Sequence, residues 1–203
     1  MNNTESTDPV LDIEPAAVIH AEAQAVQQAA TAVDSEAFRR FCKALSSLRD
    51  TGHKLVVTGV GKSAIAARKI SATMATVCIP SVFIDPVGLF HGELGAIVNG
   101  DMVLLVSHSG NTEELVRLLV PLRAQGAEIY ALVSHKESTL GASQNAIVTG
   151  VHREAYLMVP TSSSAAAVAV GDAAAVSAAR LCGHTLEHLA AVHPGGDIGK
   201  HLR

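Results

Sequence analysis

From residue 54 onward, short β-branched apolar runs alternate with longer segments patterned at helical spacing. That alternation restricts the chain to a parallel sheet covered by helices on both faces. Lys54–Thr58 (KLVVT) reads as a first strand and leads into the turn Gly59-Val60-Gly61. Ala67, Ile70, Met74 and Val77 then share one face of a helix. Ser81–Ile84, Asp101–Val106, Glu128–Val133 and Ala146–Val151 complete five expected strands. Leu115, Leu118, Leu119 and Leu122 stripe a helix that stops near Gln125-Gly126. Thr161–Cys182 is an Ala-rich helix ended by Gly183, and Thr185–Val192 a short last one. Upstream, Ala16 to about Arg49 is helical, with a break at Val33-Asp34-Ser35 where Asp34 or Ser35 is placed to cap a second helix. The expected fold is α/β, a three-layer sandwich around a five-stranded parallel sheet with N-terminal helices. With no internal repeat and no long linker, residues 1–15 read as a frayed tail and 16–203 as one domain. Its parts are N-terminal helices over 16–50, an α/β core over 51–183, and a C-terminal helix and tail over 184–203.

Bulk properties narrow the function classes. A chain of 203 residues with 48% apolar side chains builds one core, and 3% aromatics with no Trp favour closely packed helices over an aromatic-rich sandwich. The formal charge of −4 argues against a nucleic-acid partner, which would need a basic face to neutralise phosphates. No continuous apolar run reaches the roughly 18 residues that span a bilayer, so no membrane partner is expected. The start, MNNTESTDPVLDIEP, is polar and acidic, unlike a signal or transit peptide. Cys42, Cys78 and Cys182 form no CxxC pair and read as reduced core thiols, so the expected location is cytoplasmic.

Ligands of such sheets bind where strands hand over to helices at their C-terminal ends, and three polar loops stand there. After the first strand comes Gly59-Val60-Gly61-Lys62-Ser63-Ala64, whose glycines permit close backbone approach beside a helix N-terminus. It is not a Walker A loop, because Val56 stands where that motif needs Gly. It does satisfy the GxGxxA dinucleotide fingerprint, with Asp85 ending the second strand, so a nicotinamide-dependent oxidoreductase is one reading. The third strand ends in Ser107-His108-Ser109-Gly110-Asn111-Thr112-Glu113-Glu114. Its hydroxyls and glycine suit a dianionic phosphate at a helix start, whereas ordinary N-capping would use one hydroxyl rather than three. Thr161-Ser162-Ser163-Ser164 opens another helix. Three such clusters at one sheet edge point to a phosphorylated small molecule.

The segments VGKSAIAARKISATMA, PSVFIDP…HGELG, LLVSHSGNTEEL, PTSSSAAAVAVGDA and VHPGGDIG together resemble the motif series of the SIS-domain (sugar isomerase) arabinose 5-phosphate isomerases, from about residue 20 to the C-terminus. The resemblance implies a SIS, flavodoxin-like fold and interconversion of ribulose 5-phosphate and arabinose 5-phosphate through an enediolate. That conversion supplies a precursor of lipopolysaccharide or capsule sugars. No cofactor and no required metal are implied. Carried over by motif, the catalytic set falls on Lys62, Glu114, Glu154 and His193. Phosphate and substrate contacts fall on Gly61, Ser63, His91, Ser107, Ser109, Gly110, Asn111, Thr112, Thr161, Ser162 and Ser163. His91 is also where an incidental or inhibitory zinc is implied. The resemblance further implies a homotetramer, a dimer of dimers, in which the last-motif histidine is often supplied across a subunit interface.

Three departures accompany the resemblance. Usual members continue into a pair of CBS modules while this chain stops at Arg203, so the expectation is a short form without regulation through them. The stretch Ala155-Tyr156-Leu157-Met158-Val159 is shorter than usual, and Val87-Gly88-Leu89-Phe90 replaces a more polar segment before His91. Both flank the sugar end of the pocket. For the chemistry, a carboxylate raised by partial desolvation suits the proton-abstracting base, and Glu154 is favoured over Glu114. Lys62 is suited to neutralise developing charge or hold the phosphate, and His193 to ring opening or moving hydroxyl protons. A 6-phospho-3-hexuloisomerase and a non-catalytic sugar-phosphate regulator stay open as alternatives. His184 and His188 share an i,i+4 spacing but lack an HExxH or Cys partner, which disfavours a catalytic metal. Ser109 lacks the glycine of a nucleophile elbow.

Overall fold

The computed structural model describes residues 14–201, so nearly all of the expected tail, 1–15, lies outside the described residues. Helix α1 (Pro15–Ala29) starts with Pro, whose missing N–H costs nothing at a helix start. A 3₁₀ turn over Ala30–Asp34 makes the expected break, and the Ser35 hydroxyl accepts from Phe38 N to cap α2 (Glu36–Thr51). Strand β1 (Leu55–Gly59) leads to α3 (Lys62–Thr76), β2 (Ser81–Phe83) and a short α4 (Pro86–Phe90) that periodicity did not suggest. Next come β3 (Met102–Ser107), α5 (Glu113–Ala124), β4 (Glu128–Val133) and β5 (Ala146–Val148). The chain closes with α6 (Ser162–Leu181), α7 (Leu186–Ala191) and α8 (Gly196–His201).

All five strands are parallel, in the order β2-β1-β3-β4-β5. The connection leaving β1 runs to one side and that leaving β3 to the other. With right-handed crossovers this puts α3 and α5 on opposite faces. Strand alternation follows: Leu55, Val57 and Leu104 join one core with Phe41, Ile70 and Ala174, while Val56, Val103 and Leu105 join another with Leu115 and Leu118. Three layers result, as expected. At the opposite edge from the loops, the buried Asp101 carboxylate accepts from Lys54 N (3.0 Å), Val98 N (2.9 Å) and Lys54 Nζ (2.5 Å), pinning the starts of β1 and β3 together. Burial pushes this carboxyl up, but those hydrogen bonds and the Lys54 charge hold it below its ordinary value.

The alanine-rich α6 is the central helix of its layer, in contact with α1, α2 and α3. At 20 residues it is long and apolar enough by mean hydropathy and length to cross a bilayer, though Ser, Gly, Asp and Arg interrupt it, so it is not the continuous apolar run that the sequence lacks. Its buried side, Ala166, Val170, Ala174 and Ala178, belongs to the core. A side-chain carbon on Gly171 would overlap the fully buried Ile70 of α3, so α3 and α6 touch there backbone to side chain. Of the three cysteines, all free, only Cys42 is buried; Cys78 and Cys182 are half-buried, against the reading that placed all three in the core.

Because Ile70 is locked in place, Gly171→Val is expected to cost about 1–3 kcal/mol despite Val's better helix propensity. Urea unfolding with an unchanged m-value is the check.

Candidate active site

The C-terminal ends of β3, β4 and β5 open onto one pocket, lined by Ser63, Ser107, His108, Ser134, Thr149 and Ser163, among others. It lies over the ends of β3, β4 and β5, between the first turns of α3 and α6. Close approach is built in by glycine at the first loop. A Cβ at Gly59 would stand 3.0 Å from the carbonyl oxygens of both Ser63 and Val106, and Gly61 turns into α3 at φ +60°. Ser63, Ser107 and Ser163, one from each of the three polar clusters, therefore meet in one place.

The helix starts differ in how they are capped, and α1, which begins on Pro15, has no side-chain cap. Helices α2, α4 and α7 each carry a side-chain cap, from Ser35, Asp85 and Thr185. Helices α3, α5 and α6 have none from their own N-cap residues Gly61, Thr112 and Thr161. In the second loop every hydroxyl shapes the loop instead. Ser107 Oγ accepts from Gly110 N (3.0 Å) and pairs with Thr112 Oγ1 (2.8 Å), and Ser109 Oγ accepts from Asn111 N (3.2 Å). Asn111 Oδ1 accepts from Thr139 N (2.8 Å), tying the loop to the segment after β4. The first N–H groups of α3 and α5 thus lack the side-chain acceptors that helix starts normally recruit, an arrangement suited to an anion.

At α6 the acceptor is Glu154. Its carboxylate accepts from Thr161 N (2.9 Å), Ser163 N (3.2 Å) and the Ser163 hydroxyl. Burial raises this carboxyl, but the Ser163 and Thr161 hydrogen bonds and nearby His108 prevail and hold it below its ordinary value. The expectation of a base raised by desolvation is therefore reversed in this structure: at neutral pH Glu154 is a carboxylate serving as a helix cap. Asp85, which the dinucleotide reading needed for a ribose, is occupied capping α4 through Val87 N (3.0 Å).

The other predicted residues are spread. Lys62 is the exposed first residue of α3, in a groove beside Thr161 and Ser164. Glu114 is exposed in the first turn of α5, and His91 is exposed just after α4. Ser162 is buried at the start of α6. His193 does not join them. Helix α6 runs about 30 Å away from the pocket, and α7 follows its far end. The Cys78 thiol, past the far end of α3, donates to His188 O (3.5 Å), and His193 Nδ1–H donates to Leu189 O (2.7 Å). His193 thus sits at the opposite edge of the subunit. Among the described residues, no group of three or more His, Cys, Asp or Glu is placed to hold a metal ion.

Sequence reasoning passed over His108, Ser134, His135, Thr149 and His152. His108 Nδ1 lies 2.9 Å from Ser134 Oγ, which lies 3.0 Å from Thr149 Oγ1. The His135 ring packs edge-on against His108 (centroids 5.3 Å) and at a tilt against His152 (4.6 Å). Burial lowers the His108 pKa; Glu154 pulls it back up, and His135 and His152 lower it further, for a net decrease. Since Ser134 follows β4 and Thr149 follows β5, the strand-end rule used for the other loops would have found both.

Residues 47–177 match the family described as SIS domain. The chain is 31% identical over 205 residues to the arabinose 5-phosphate isomerase KpsF of Escherichia coli O6:H1, covering 99% of this chain and 62% of that protein. It is 35% identical over 190 residues to the arabinose 5-phosphate isomerase KdsD of Pseudomonas aeruginosa, covering 91% of this chain and 58% of the relative. It thus spans about three fifths of the length of these curated relatives. Among solved structures, that of an E. coli CFT073 protein in complex with arabinose 5-phosphate superposes with a TM-score of 0.79 at 32% identity, covering 96% of this chain and 100% of that one.

Ser163→Ala is expected to let the Glu154 pKa rise toward its usual ~4.3 and to cost about 1 kcal/mol at neutral pH. Because the folded pKa is depressed, that stabilisation exists above the unfolded pKa and is lost as pH falls through the folded one. Carboxyl NMR titration and urea unfolding at neutral and acid pH read both effects.

Proposed function

The chain belongs to the SIS-domain family, and on that footing we propose that it is an aldose–ketose isomerase interconverting ribulose 5-phosphate and arabinose 5-phosphate. The observation that carries this reading is the convergence on one pocket of a hydroxyl from each of three loops, Ser63, Ser107 and Ser163, beside the start of α3, which has no side-chain cap. A small phosphorylated ligand uses such a site fully, while a nicotinamide dinucleotide would want Asp85 free. Likeness to relatives named arabinose 5-phosphate isomerases, and to a structure solved with that sugar phosphate, supports the pentose rather than a hexulose phosphate.

In this reading the phosphate takes the N-termini of α3 and α5, with Lys62 adding its charge. The carbonyl carbon and its neighbour then reach toward the carboxylates, and one of them carries a proton between C1 and C2 while the enediolate is held by nearby donors. Glu154 is assigned as that carboxylate. It is ionised at working pH, and its hold on α6 supports a fixed orientation. Glu114 contacts the ligand from the first turn of α5. His193 comes from another copy of the chain, because its own copy holds it at the far edge. The working form is proposed to be a cytoplasmic homotetramer, which the exposed apolar Val176, Leu181 and Leu186 along α6 and α7 favour. The product would feed lipopolysaccharide or capsule precursors.

Incubation with ribulose 5-phosphate in deuterated water is expected to give arabinose 5-phosphate labelled at C2. Turnover of a hexulose 6-phosphate alone would reassign the substrate. Glu154→Gln is expected to reduce kcat by about 10²–10⁴-fold; full activity would move the base to Glu114. Co-assembling Glu154→Gln with His193→Ala subunits should recover turnover that neither variant shows alone. Absence of recovery would contradict a site shared between copies.

A further inference from the structure

Isomerisation of a ketose to an aldose moves two protons. One leaves C1 as C–H, its electron pair becoming the C1=C2 bond of the enediolate, and returns on C2. The other leaves the O1 hydroxyl as C1=O forms and ends on O2. The carboxylate accounts for the carbon-bound proton only. The oxygen-bound proton needs a second carrier beside O1 and O2; this copy's own His193 lies at the other edge of the subunit, and the His193 supplied by another copy is left to open the sugar ring.

We propose that His108 is a further catalytic residue, which takes the proton from O1 of the bound sugar and delivers it to O2. This rests on the isomerase reading above. His108 leaves β3 directly after Ser107 and lines the pocket where the three polar loops meet. Its Nδ1 is held by Ser134 Oγ at 2.9 Å, and Ser134 is itself held by Thr149 Oγ1 at 3.0 Å. That pair of hydroxyls fixes the ring and can act as acceptor or donor by rotating, so it supports the imidazole in either protonation state. Nε2, at the far corner of the ring, has no hydrogen-bond partner among the described residues and is the atom left to meet the ligand. Around the ring stand His135 from the segment after β4, His152 from the segment before α6, and the Glu154 carboxylate. With Glu154 then holding the carbon-bound proton, the negative enediolate itself steadies the imidazolium formed when O1 gives up its proton, and burial returns the ring to its neutral form when the proton passes to O2. Charge and atoms balance with no other reactant.

The experiment separates the two proton transfers. His108→Asn retains a polar atom near Ser134 but no group able to carry a proton, and His108→Gln places an amide near the Nε2 position. Each purified full chain is incubated in deuterated water with ribulose 5-phosphate and, in parallel, with a hexulose 6-phosphate. Aldose formation and incorporation of deuterium into recovered ketose are followed together by NMR. The expected result is a loss of aldose formation of about 10²-fold or more, with deuterium incorporation at C1 within several-fold of wild type. A purely structural role would lower both rates in step, and that outcome overturns the proposal, as does either variant isomerising within about threefold of wild type. If wild type turns over neither ketose, the isomerase reading falls and this assignment with it. If wild type is active and the variants do not split the two rates, only the assignment of His108 falls.

Discussion

Everything at the site depends on β1 and β3 lying side by side while their outgoing connections diverge. Parallel pairing from Leu55↔Met102 to Gly59↔Val106 brings two strand ends level. Right-handed crossovers then send α3 and α5 to opposite faces, so their first turns diverge from neighbouring strand ends. Asp101 secures this arrangement from below. By gathering two backbone N–H groups and the Lys54 ammonium, it holds the two strands in register at their starts. A slip of one residue would exchange the two core faces and carry Ser107 away from Gly59.

With that arrangement in place, the molecule treats its helix termini in two ways. Of the helices remote from the pocket, α2, α4 and α7 spend a nearby hydroxyl or carboxylate on their first turn, from Ser35, Asp85 and Thr185, while α1 starts on Pro15 without a side-chain cap. Those facing the pocket direct their hydroxyls into loop shape or lack them, leaving positive dipole ends available. Helix α6 is the intermediate case, because a carboxylate from outside the helix supplies what its own N-cap does not.

The fold was largely legible because continuous apolar strands and striped helices are strong patterns; β4 was placed end to end, and Ser35 was among two named caps. The short α4 and α8 were missed, having too few residues to show a period. The phosphate loops were legible in kind, since hydroxyls after strands have few uses. Their detailed hydrogen bonding was not, because which hydroxyl serves the loop and which the ligand is decided by tertiary neighbours such as Thr139 and Ser134. Glu154 shows the same limit. Its spacing from Thr161 is plain in the sequence, but that the intervening residues loop back to make it a cap is a matter of three dimensions. So is the distance of His193 from the pocket, which only the length and direction of α6 reveal.

The contact between Gly171 and Ile70 acquires a further meaning from where it lies. Ile70 is eight residues below the start of α3 at Lys62, and Gly171 eight residues below Ser163, each about 12 Å down its helix. The two helices therefore behave like the arms of a pair of callipers, with the absent side chain of Gly171 as the stop that sets how far apart their tips stand. The width available to a ligand between Ser63 and Ser163 is gauged by a residue that never meets it. Pocket dimensions in this molecule are thus a property of the alanine- and glycine-rich seam of α6 as much as of the residues lining the pocket itself.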